Sequence, residues 1–391
     1  MSVAGNQAQT FLRLAAALRP RWRTDHGLPR TIQSLLTGDR SFGSRDRRLY
    51  RELLYTTLRY LPWIEPWLDR DPAEAVRRTA WLAAETPATA RFRAELAAGP
   101  APEGDRSALL PAWFREHAPE LFADPELDAQ LQRAPLWLRL QTGASGRAAV
   151  ADEFAARGWT LRPSDLLRDA TEVVGEADVT KTESWDRGLF EVQDLGSQLI
   201  LESHGLPPGG LWLDACAGAG GKTLQLARIL GPTGAVEAHD IRPAALEELV
   251  VRAQRARLRR VSIVAQPPDA RYDGVLVDAP CSGSGTWRRS PHLKWNTTPE
   301  IVAERAALQG RVLRRFARCV RPGGLLVYAT CSLSPRENED IVAGFLTETG
   351  ESFRPEPPAR TFGFPLRRHG LTIWPARHRT DGFYVCALRR R

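Results

Sequence analysis

The sequence predicts an α/β protein built on a doubly wound sheet, preceded by a helical region and a small α+β unit. From Leu211 onward, short apolar runs alternate several times with segments of helical periodicity, which is the pattern of a parallel sheet with crossover helices. Two of the apolar runs end in polar residues and a cysteine, at the sheet edge where such folds bind ligands. Because 391 residues exceed one average domain, we expect two or three domains.

Residues 1–133 are predicted to form a helical domain. Apolar residues recur at helical spacing in FLRLAAAL, TIQSLLTG and LYRELLYTTLRYLPWI. The stretch FGSRDRRLYRELLYTTLRY is predicted to present a basic surface around an apolar stripe, formed by Arg45, Arg47, Arg48, Arg51 and Arg59. Its partner is either RNA or the rest of the protein, and no acid, base or nucleophile cluster occurs in this region.

Residues 134–188 are predicted to form the small α+β unit. LWLRLQT alternates like a strand, SGRAAVADEFAARG is typical of a short helix, and WTLRPSD is typical of a second strand. The following LFEVQDLGSQLI predicts a strand and a helix start. Its polar residues either line a site or cap that helix, and they are Gln193, Asp194, Ser197 and Gln198.

Residues 189–391 form the third predicted domain, which contains the regular alternation. Its predicted strands are LWLDA, AVEAHD, VSIVA, DGVLVD, GLLVYAT, LTIWP and GFYVCALR, and its longer predicted helices are LQLARIL, RPAALEELVVRAQRAR, PEIVAERAALQGRVLRRFARCV and ENEDIVAGFL. Strands four and five are expected to be neighbours about 5 Å apart. The sulfurs of Cys281 and Cys331, which follow these two strands, should therefore lie at the same edge of the sheet.

Charge and cysteine usage restrict the functional classes. The net charge is +8, and residues 250–321 hold fifteen Lys/Arg against five Asp/Glu, which indicates either phosphate contacts with nucleic acid or solvated helix faces. No apolar run approaches the roughly 18 residues that cross a bilayer, and the N-terminus lacks signal-peptide features, so we expect a soluble, cytoplasmic protein. The five cysteines have no disulfide or CxxC metal-ligand spacing and are expected to be reduced thiols without a metal.

The loop CAGAGGKT after the first strand of the third domain predicts a nucleotide-type cofactor. Gly218, Gly220 and Gly221 allow the main chain to approach a ligand at a helix N-terminus. The loop matches neither GxGxxG nor GxxxxGK[ST] in register, and Asp240 ends the second strand, where a carboxylate can accept both ribose hydroxyls. These features favour S-adenosylmethionine, with Asp214 facing its ammonium group.

Lysine is rare in this chain, and its placement is informative. Only three lysines accompany fifty-one arginines, and two of them, Lys222 and Lys294, fall in the loops that carry the candidate chemistry. A compact ammonium rather than a planar guanidinium is therefore expected to be required at both positions.

Three segments resemble the signature motifs of the RNA cytosine-5 methyltransferases, namely DACAGAGGKT, VDAPCSGSGTWRRSPHLKW and YATCSLSPRENED. The resemblance covers about residues 190–390, and the helical region resembles that of the bacterial Sun/Fmu type, which carries a domain similar to the transcription factor NusB. It implies a class I, Rossmann-like methyltransferase fold, a NusB-like first domain, and methylation of a cytosine in 16S ribosomal RNA.

The chain departs from the family pattern at a few positions. Ala219 replaces the usual proline of the first motif, Gly218 its preceding alanine, and His292 a usual aspartate. The segment VAQPPDARYDG is short where the family has an adenine-contacting aspartate, which leaves Gln266 as the substitute. The predicted cofactor contacts are therefore Asp214, Cys216, Ala217, Gly218, Ala219, Gly220, Gly221, Lys222, Asp240, Gln266 and Asp278.

The chemistry explains why such an enzyme uses these residue types. Carbon 5 of cytosine is a poor nucleophile, so a thiolate first adds to carbon 6, and the resulting enamine attacks the methyl donor. The resemblance assigns addition to Cys331 and release to Cys281, whereas the residues alone do not rank the two thiols. Asp278 is expected to bind the polar edge of the cytosine, and Lys222 to assist electrostatically.

RNA is the expected partner of a monomeric protein. Arg288, Arg289 and Lys294 are the candidate phosphate contacts, and Trp287 and Trp295 can stack on bases. Two alternatives remain open. A non-catalytic RNA-binding assembly factor is favoured by the short third motif, and a DNA cytosine methyltransferase is disfavoured by the second cysteine and by the helical region.

Overall fold

The computed structural model describes residues 2–391, which form two compact units. The first unit contains the chain up to Arg133 together with Thr286–Pro299, and the second contains Ala134–Gly285 and Glu300–Arg391. Among the described residues, no helix is both long and apolar enough to span a bilayer. The segment Thr286–Pro299 thus packs with the helical unit although it lies within the sequence of the third predicted domain.

The first unit is helical, as the sequence predicts. Its helices are α1 Val3–Leu18, α2 Leu28–Gly38, α3 Ser44–Arg59, α4 Leu61–Arg70, α5 Pro72–Leu82, α6 Ala90–Leu96 and α7 Glu126–Leu131. Their apolar faces meet in one core that includes Phe11, Trp22, Leu53 and Phe92. Helix starts follow capping rules, since the Asp71 carboxylate accepts from the Ala73 and Glu74 N–H groups and Pro72 occupies the first position of α5.

One residue of the predicted basic surface is not on the surface. Arg59 is 4% exposed and lies 3.8 Å from the Glu52 carboxylate, so its inclusion among the exposed arginines of α3 was wrong. The reason is its position on the inner side of α3, where Glu52 is buried as well. Arg45, Arg48 and Arg51 are exposed.

The second unit begins with a small antiparallel sheet of strand order β2-β3-β1-β4. Its elements are β1 Leu136–Leu140, α8 Ala144–Ala156, β2 Thr160–Pro163, β3 Ala170–Val174, α9 Glu183–Asp186 and β4 Phe190–Val192. A separate core that includes Leu138, Val150, Phe154 and Phe190 fills it. The sequence predicts β1, α8, β2 and β4 but misses β3, which pairs with β1 on one side and with β2 on the other.

The large sheet of the second unit carries the alternation that the sequence predicts. Its elements are α10 Leu195–Glu202, β5 Leu211–Asp214, α11 Gly221–Leu230, β6 Ala235–Ala238, α12 Pro243–Arg255, β7 Val261–Ile263, β8 Tyr272–Asp278, α13 Leu293–Asn296 (in the segment that packs with the first unit), α14 Pro299–Ala317, β9 Val320–Thr330, α15 Glu339–Thr349, β10 Phe353–Glu356, β11 Leu371–Ile373, α16 Pro375–His378 and β12 Phe383–Arg390.

The strand order of this sheet is β10-β12-β9-β8-β5-β6-β7, with β11 pairing to β12. The five strands from β9 to β7 are parallel, and β12 joins β9 in the antiparallel sense. The chain runs outward from β5 to β7 and then returns to β8 on the other side, so the strand order reverses between β5 and β8. This reversal confirms the predicted doubly wound fold, and the carboxyl ends of these two strands are the place where folds of this kind bind ligands.

Local chemistry explains what the sequence predicts and what it misses here. Asp194 caps α10 by accepting from the Gly196 N–H at 2.8 Å, which favours the helix-cap interpretation of that residue. The edge strand β10 is missed because its FRPE carries a proline and two charges, which depress strand propensity. Pairing with β12 forms this strand nevertheless.

We expect Leu326→Ala to lower the free energy of unfolding of the second unit by about 2–5 kcal/mol, because Leu326 is fully buried in the centre of β9. Leu366→Ala in the same unit is the control: Leu366 is 58% exposed, and its loss should change stability by less than about 0.5 kcal/mol. Urea titrations of both variants test this, and equal shifts would contradict it.

Candidate active site

The candidate active site lies at the carboxyl ends of β5, β8 and β9. Asp214 and Asp278 end β5 and β8, and Asp278 pairs across the sheet with Ala329 near the end of β9. Because the three strands are parallel neighbours, the loops that follow them leave the sheet at one edge.

The two cysteines that follow β8 and β9 are in contact. The Sγ atoms of Cys281 and Cys331 lie 3.2 Å apart, and both side chains are partly exposed. The contact with Cys331, burial, and the charge of Glu337 together raise the pKa of the Cys281 thiol well above its ordinary value. The structure therefore brings both predicted sulfurs together at one edge of the sheet.

Lys222 and Asp278 form an ion pair beside the thiols. Lys222 Nζ donates to Asp278 Oδ2 at 2.8 Å and lies 5.5 Å from the centre of the Phe383 ring. Burial lowers the pKa of Lys222, but the attraction and hydrogen bond of Asp278, with smaller contributions from Cys331 and Asp214, outweigh it and raise the pKa. Lys222 is therefore a fixed positive charge, and the Asp278 side chain keeps 30% exposure toward an incoming group.

Asp214 has one carboxylate oxygen without a hydrogen-bond partner within residues 2–391. Its Oδ2 accepts from Thr223 Oγ1 at 2.6 Å, whereas the buried Oδ1 has none. Burial, reinforced by the charge of Asp278, raises the pKa of Asp214 to about 7. A buried oxygen without a donor is costly, so it suits a ligand that brings a cation or an N–H group.

The glycine turn, residues 218–221, has open space at Gly221. Gly218 and Gly220 have φ of +52° and +90°, which side chains rarely adopt, and a Cβ on Gly220 would come within 2.7 Å of the Leu249 side chain. A Cβ on Gly221, at the first position of α11, would meet no atom within 4 Å. This free space at a helix N-terminus fits a nucleotide-type ligand.

Asp240 is engaged by protein groups. Its carboxylate accepts from the Gly218 N–H at 2.8 Å and from the Arg242 main chain and guanidinium at 2.9–3.0 Å. Burial raises the pKa of Asp240, but the Arg242 and Gly218 hydrogen bonds outweigh it and lower the pKa to about 2. Because the Arg242 side chain is 67% exposed, it can turn away and release the carboxylate for ribose hydroxyls.

The remaining predicted cofactor residues contribute mainly main-chain groups. The Ala217 N–H donates to the His239 carbonyl at 3.0 Å, and the Ala219 carbonyl accepts from Arg252 at 2.6 Å, which fixes the turn. Burial raises the pKa of the Cys216 thiol far above its ordinary value, so that this thiol is not a nucleophile. Gln266 is exposed in the loop after β7.

Sequence reasoning missed part of the role of Glu337. The motif YATCSLSPRENED places Glu337 and Asn338 after the second cysteine, and Asn338 fixes the loop of that cysteine by donating to the Ser332 carbonyl at 2.9 Å. Glu337, however, also accepts from the N–H and the hydroxyl of Ser282 in the loop of the first cysteine. Ser282 and Glu337 are 55 positions apart, so no local pattern signals this contact.

Two of the three predicted RNA contacts are buried in the first unit. Arg288 is 2% exposed and donates to the Arg133 carbonyl at 3.0 Å, and Lys294 is 1% exposed and donates to the Arg59 and Leu109 carbonyls at 2.8 and 3.0 Å. The prediction that Arg288 and Lys294 contact RNA phosphates was therefore wrong, because they donate to main-chain carbonyls instead of facing solvent. Arg289 is exposed and stays a predicted RNA contact.

The two tryptophans of this segment are packed as well. Trp287 is fully buried, with its ring centre 4.6 Å from that of Phe114, so it is not available for stacking on RNA bases as predicted. Trp295 packs against the helical core and donates to the Leu58 carbonyl at 2.7 Å. The segment therefore acts as part of the first unit's core.

Comparison of the sequence with known proteins places it among ribosomal RNA methyltransferases. Residues 204–389 match the family described as "16S rRNA methyltransferase RsmB/F". A "Probable ribosomal RNA small subunit methyltransferase B" of Synechocystis is 31% identical over 298 residues, covering 72% of this chain and 67% of that protein. The protein of the same name from Bacillus subtilis is 31% identical over 65% of this chain and 59% of its own length. The "Ribosomal RNA small subunit methyltransferase B" of Vibrio cholerae is 33% identical over 72% of this chain and 65% of its own length. The chain thus spans about three fifths to two thirds of the length of these relatives.

Solved structures share the fold. The crystal structure of PH0851 covers 100% of both chains with a TM-score of 0.78 at 20% identity. A methyltransferase homologue of Pyrococcus horikoshii covers 72% of this chain and 95% of its own length, with a TM-score of 0.60 at 23% identity. NSun6 of the same organism, solved "with SFG", covers 72% of this chain and 98% of its own length, with a TM-score of 0.62 at 19% identity. At these identities the likeness shows the fold alone, which is that of a Rossmann-like methyltransferase.

We expect the stability of the first unit to rise with pH through Lys294. Burial and the nearby charge of Arg59 lower the pKa of Lys294 well below 10.5, so the unfolded chain binds the extra proton and unfolding becomes harder as pH approaches 10.5. Between the folded-state pKa of Lys294 and pH 10.5, the contribution of this residue has a limiting slope of about 1.4 kcal/mol per pH unit, and this contribution should disappear in Lys294→Met. Amide hydrogen exchange of α3 at several pH values measures the free energy of unfolding of the first unit. Arg289→Ala, at an exposed position, should keep the slope, and an unchanged slope in Lys294→Met would contradict the lowered pKa of Lys294.

Proposed function

Since the chain belongs to the RsmB/F family of 16S rRNA methyltransferases, we propose that it methylates carbon 5 of a cytosine in small-subunit ribosomal RNA. The observation that carries this proposal is the 3.2 Å contact between the sulfurs of Cys281 and Cys331, beside the ion pair of Lys222 and Asp278. The names of the relatives support ribosomal RNA as the substrate. Carbon 5 is favoured because a thiol is what this position of the ring needs for activation.

S-adenosylmethionine is the cofactor, and it supplies a methyl group on a positively charged sulfur that a carbon nucleophile can attack. The glycine turn of residues 218–221 offers open space for it at Gly221, at the N-terminus of α11. The unpartnered oxygen of Asp214 suits its ammonium group, and Asp240 suits its ribose once Arg242 turns away. Gln266 remains the proposed adenine contact.

Cys331 is the proposed nucleophile. Its thiolate forms a bond to carbon 6 of the cytosine, and the displaced electron pair makes carbon 5 nucleophilic. The ammonium of Lys222 is close enough to interact electrostatically with Cys331, so it favours a negative charge on this sulfur. After carbon 5 has gained its methyl group, a base takes the proton of carbon 5, and the electrons of that C–H bond restore the double bond between carbons 5 and 6. The bond between sulfur and carbon 6 breaks in the same step, and its electron pair restores the thiolate.

Asp278 and Cys281 complete the proposed chemistry. Asp278, held by Lys222 and partly exposed, is placed to bind the polar edge of the ring and to stabilise its activated form. Cys281, in contact with Cys331, is placed to assist release of the product. The roles of addition and release follow the family resemblance of the two motifs.

The helical unit is the proposed RNA-binding part. Exposed arginines on α3 and Arg289 support phosphate contacts, and a NusB-like character remains a proposal drawn from the sequence resemblance. We likewise retain the division into residues 1–133, 134–188 and 189–391 as a proposal. The separate sheet and core of the middle part support it, and the packing of Thr286–Pro299 with the helical unit modifies it.

The proposed function is tested by incubating the protein with methyl-labelled S-adenosylmethionine and either 16S ribosomal RNA or duplex DNA. Label should appear in RNA as 5-methylcytosine and not in DNA. Cys331→Ala should lose transfer and should lose the covalent adduct with RNA that contains 5-fluorocytidine, whose carbon 5 carries no removable proton. Cys281→Ala should instead let RNA accumulate bound to the protein, because release fails.

Each other outcome has a definite meaning. An adduct in Cys331→Ala but not in Cys281→Ala would reverse the two roles. RNA binding without transfer by the unaltered protein would favour a non-catalytic assembly factor, and transfer to DNA would contradict the proposed substrate. Cys386→Ala, at a buried thiol of β12, is the control and should keep transfer.

Binding of S-adenosylmethionine should depend on pH through Asp214. With its pKa raised to about 7, Asp214 is protonated at lower pH and must lose that proton to pair with an ammonium group. Affinity should therefore rise between pH 5.5 and 7, by at most about tenfold per pH unit. Calorimetry in two buffers should also detect proton release at pH 6. Both effects should vanish in Asp214→Asn, and their persistence there would exclude Asp214 as the ammonium partner.

A further inference from the structure

The carboxylate of Glu337 joins the two loops that carry the reactive thiols. Its Oε1 accepts from the Ser282 N–H at 2.8 Å, and its Oε2 accepts from the hydroxyls of Ser282 and Ser332, each at 2.5 Å. Ser282 follows Cys281, and Ser332 follows Cys331. One buried side chain is therefore bonded to the residue next to each sulfur.

Other bonds hold Glu337 in this position. Gln309 on α14 donates to Oε1 at 3.1 Å, and the Tyr328 hydroxyl on β9 donates to the Glu337 carbonyl at 2.6 Å. Glu337 is fully buried, and within residues 2–391 no basic side chain forms an ion pair with it. Four donors therefore replace water around a buried negative charge, which is the arrangement that makes such a charge tolerable.

Charges of opposite sign act on the two thiols. The charge of Glu337 is among the causes that raise the pKa of Cys281, after the contact with Cys331 and burial. Lys222 interacts with the other thiol, since a charge on Cys331 is one of the causes that raise the lysine's pKa. The remaining titratable groups facing the pair are Asp278, which Lys222 neutralises, Asp214, and Tyr328 on β9.

We propose that Glu337 is a positioning residue for both cysteines: it fixes the distance between their loops, and its negative charge keeps the shared proton on Cys281, so that Cys331 is the thiolate. This inference rests on the proposed methyl transfer, for which it explains why one of two touching thiols is the nucleophile. With the proton on Cys281, that thiol donates a hydrogen bond to Cys331. Glu337 touches neither sulfur nor substrate in this role and acts through Ser282 and Ser332.

Two substitutions of Glu337 separate its effect on the distance between the cysteine loops from the effect of its negative charge. In Glu337→Gln, the new amide can donate to the hydroxyls of Ser282 and Ser332 while its oxygen accepts from the Ser282 N–H and Gln309. The bridge between the loops is then kept and the charge is lost. Glu337→Ala removes both. Glu348→Gln on α15, where Glu348 is exposed and pairs with Arg314 at 3.0 Å, is the matched control.

The measurement is the rate of alkylation of each cysteine by iodoacetamide between pH 6 and 10, under single-hit conditions and with the site located by peptide mass spectrometry. In the unaltered protein and in Glu348→Gln, Cys331 should react first. In Glu337→Gln, Cys281 should react at lower pH, by about tenfold in rate for each unit of pKa lost, with an unchanged melting temperature. In Glu337→Ala both thiols should react faster and the melting temperature should fall.

The outcomes that overturn the proposal are distinct. Identical alkylation profiles in Glu337→Gln and the unaltered protein would remove the electrostatic role, and a Glu337→Ala protein with unchanged alkylation and melting temperature would remove the positioning role. Alkylation needs neither RNA nor S-adenosylmethionine. Failure of methyl transfer by the unaltered protein with the expected alkylation pattern would therefore refute the proposed function and leave the placement of the proton intact.

Discussion

The parallel pairing of β8 with β9 is the constraint on which the site depends. Five consecutive pairs from Gly274 to Asp278 set the register, so the cysteine loops begin at equal height on adjacent strands. Gly274 also allows β8 to approach β5 closely, because a Cβ at this position would lie 2.4 Å from the Trp212 ring on β5. The parallel pairing of β5 with β8 brings their last residues, Asp214 and Asp278, to the same edge of the sheet.

Charged groups in this crevice are each compensated in a different way. Lys222 and Asp278 neutralise each other, Glu337 is surrounded by four hydrogen-bond donors, and Asp214 keeps one oxygen without a donor. In a region shielded from water such differences have large electrostatic consequences, because neighbouring charges are weakly screened. Within residues 2–391, the buried Oδ1 of Asp214 is therefore the atom of this set that is left for a ligand to satisfy.

Lysine placement has a common physical explanation in the two units. Lys222 pairs with one carboxylate in a confined space, and Lys294 donates to two main-chain carbonyls from a fully buried position. A guanidinium is larger and carries five donors, which neither position could satisfy. The rarity of lysine in this chain therefore signalled two confined amino groups, although only one of them lies at the sheet edge with the thiols. The other stabilises the helical unit.

The sequence by itself determined the helical first unit, the order of strands and helices in the large sheet, the glycine turn and the residues at the strand ends, because periodicity, turn residues and strand polarity are local properties. It did not determine β3, an inner strand that forms by pairing with β1 and β2, or the edge strand β10, which forms by pairing with β12 in spite of weak local propensity. Nor did it determine that Arg288, Lys294 and Trp287 are internal, since a charged, tryptophan-containing loop looks the same in sequence whether it faces solvent or fills a helical core. The bridge of Glu337 to both cysteine loops was likewise decided only by tertiary structure, because it joins residues 55 positions apart whose proximity exists only after β8 and β9 have paired.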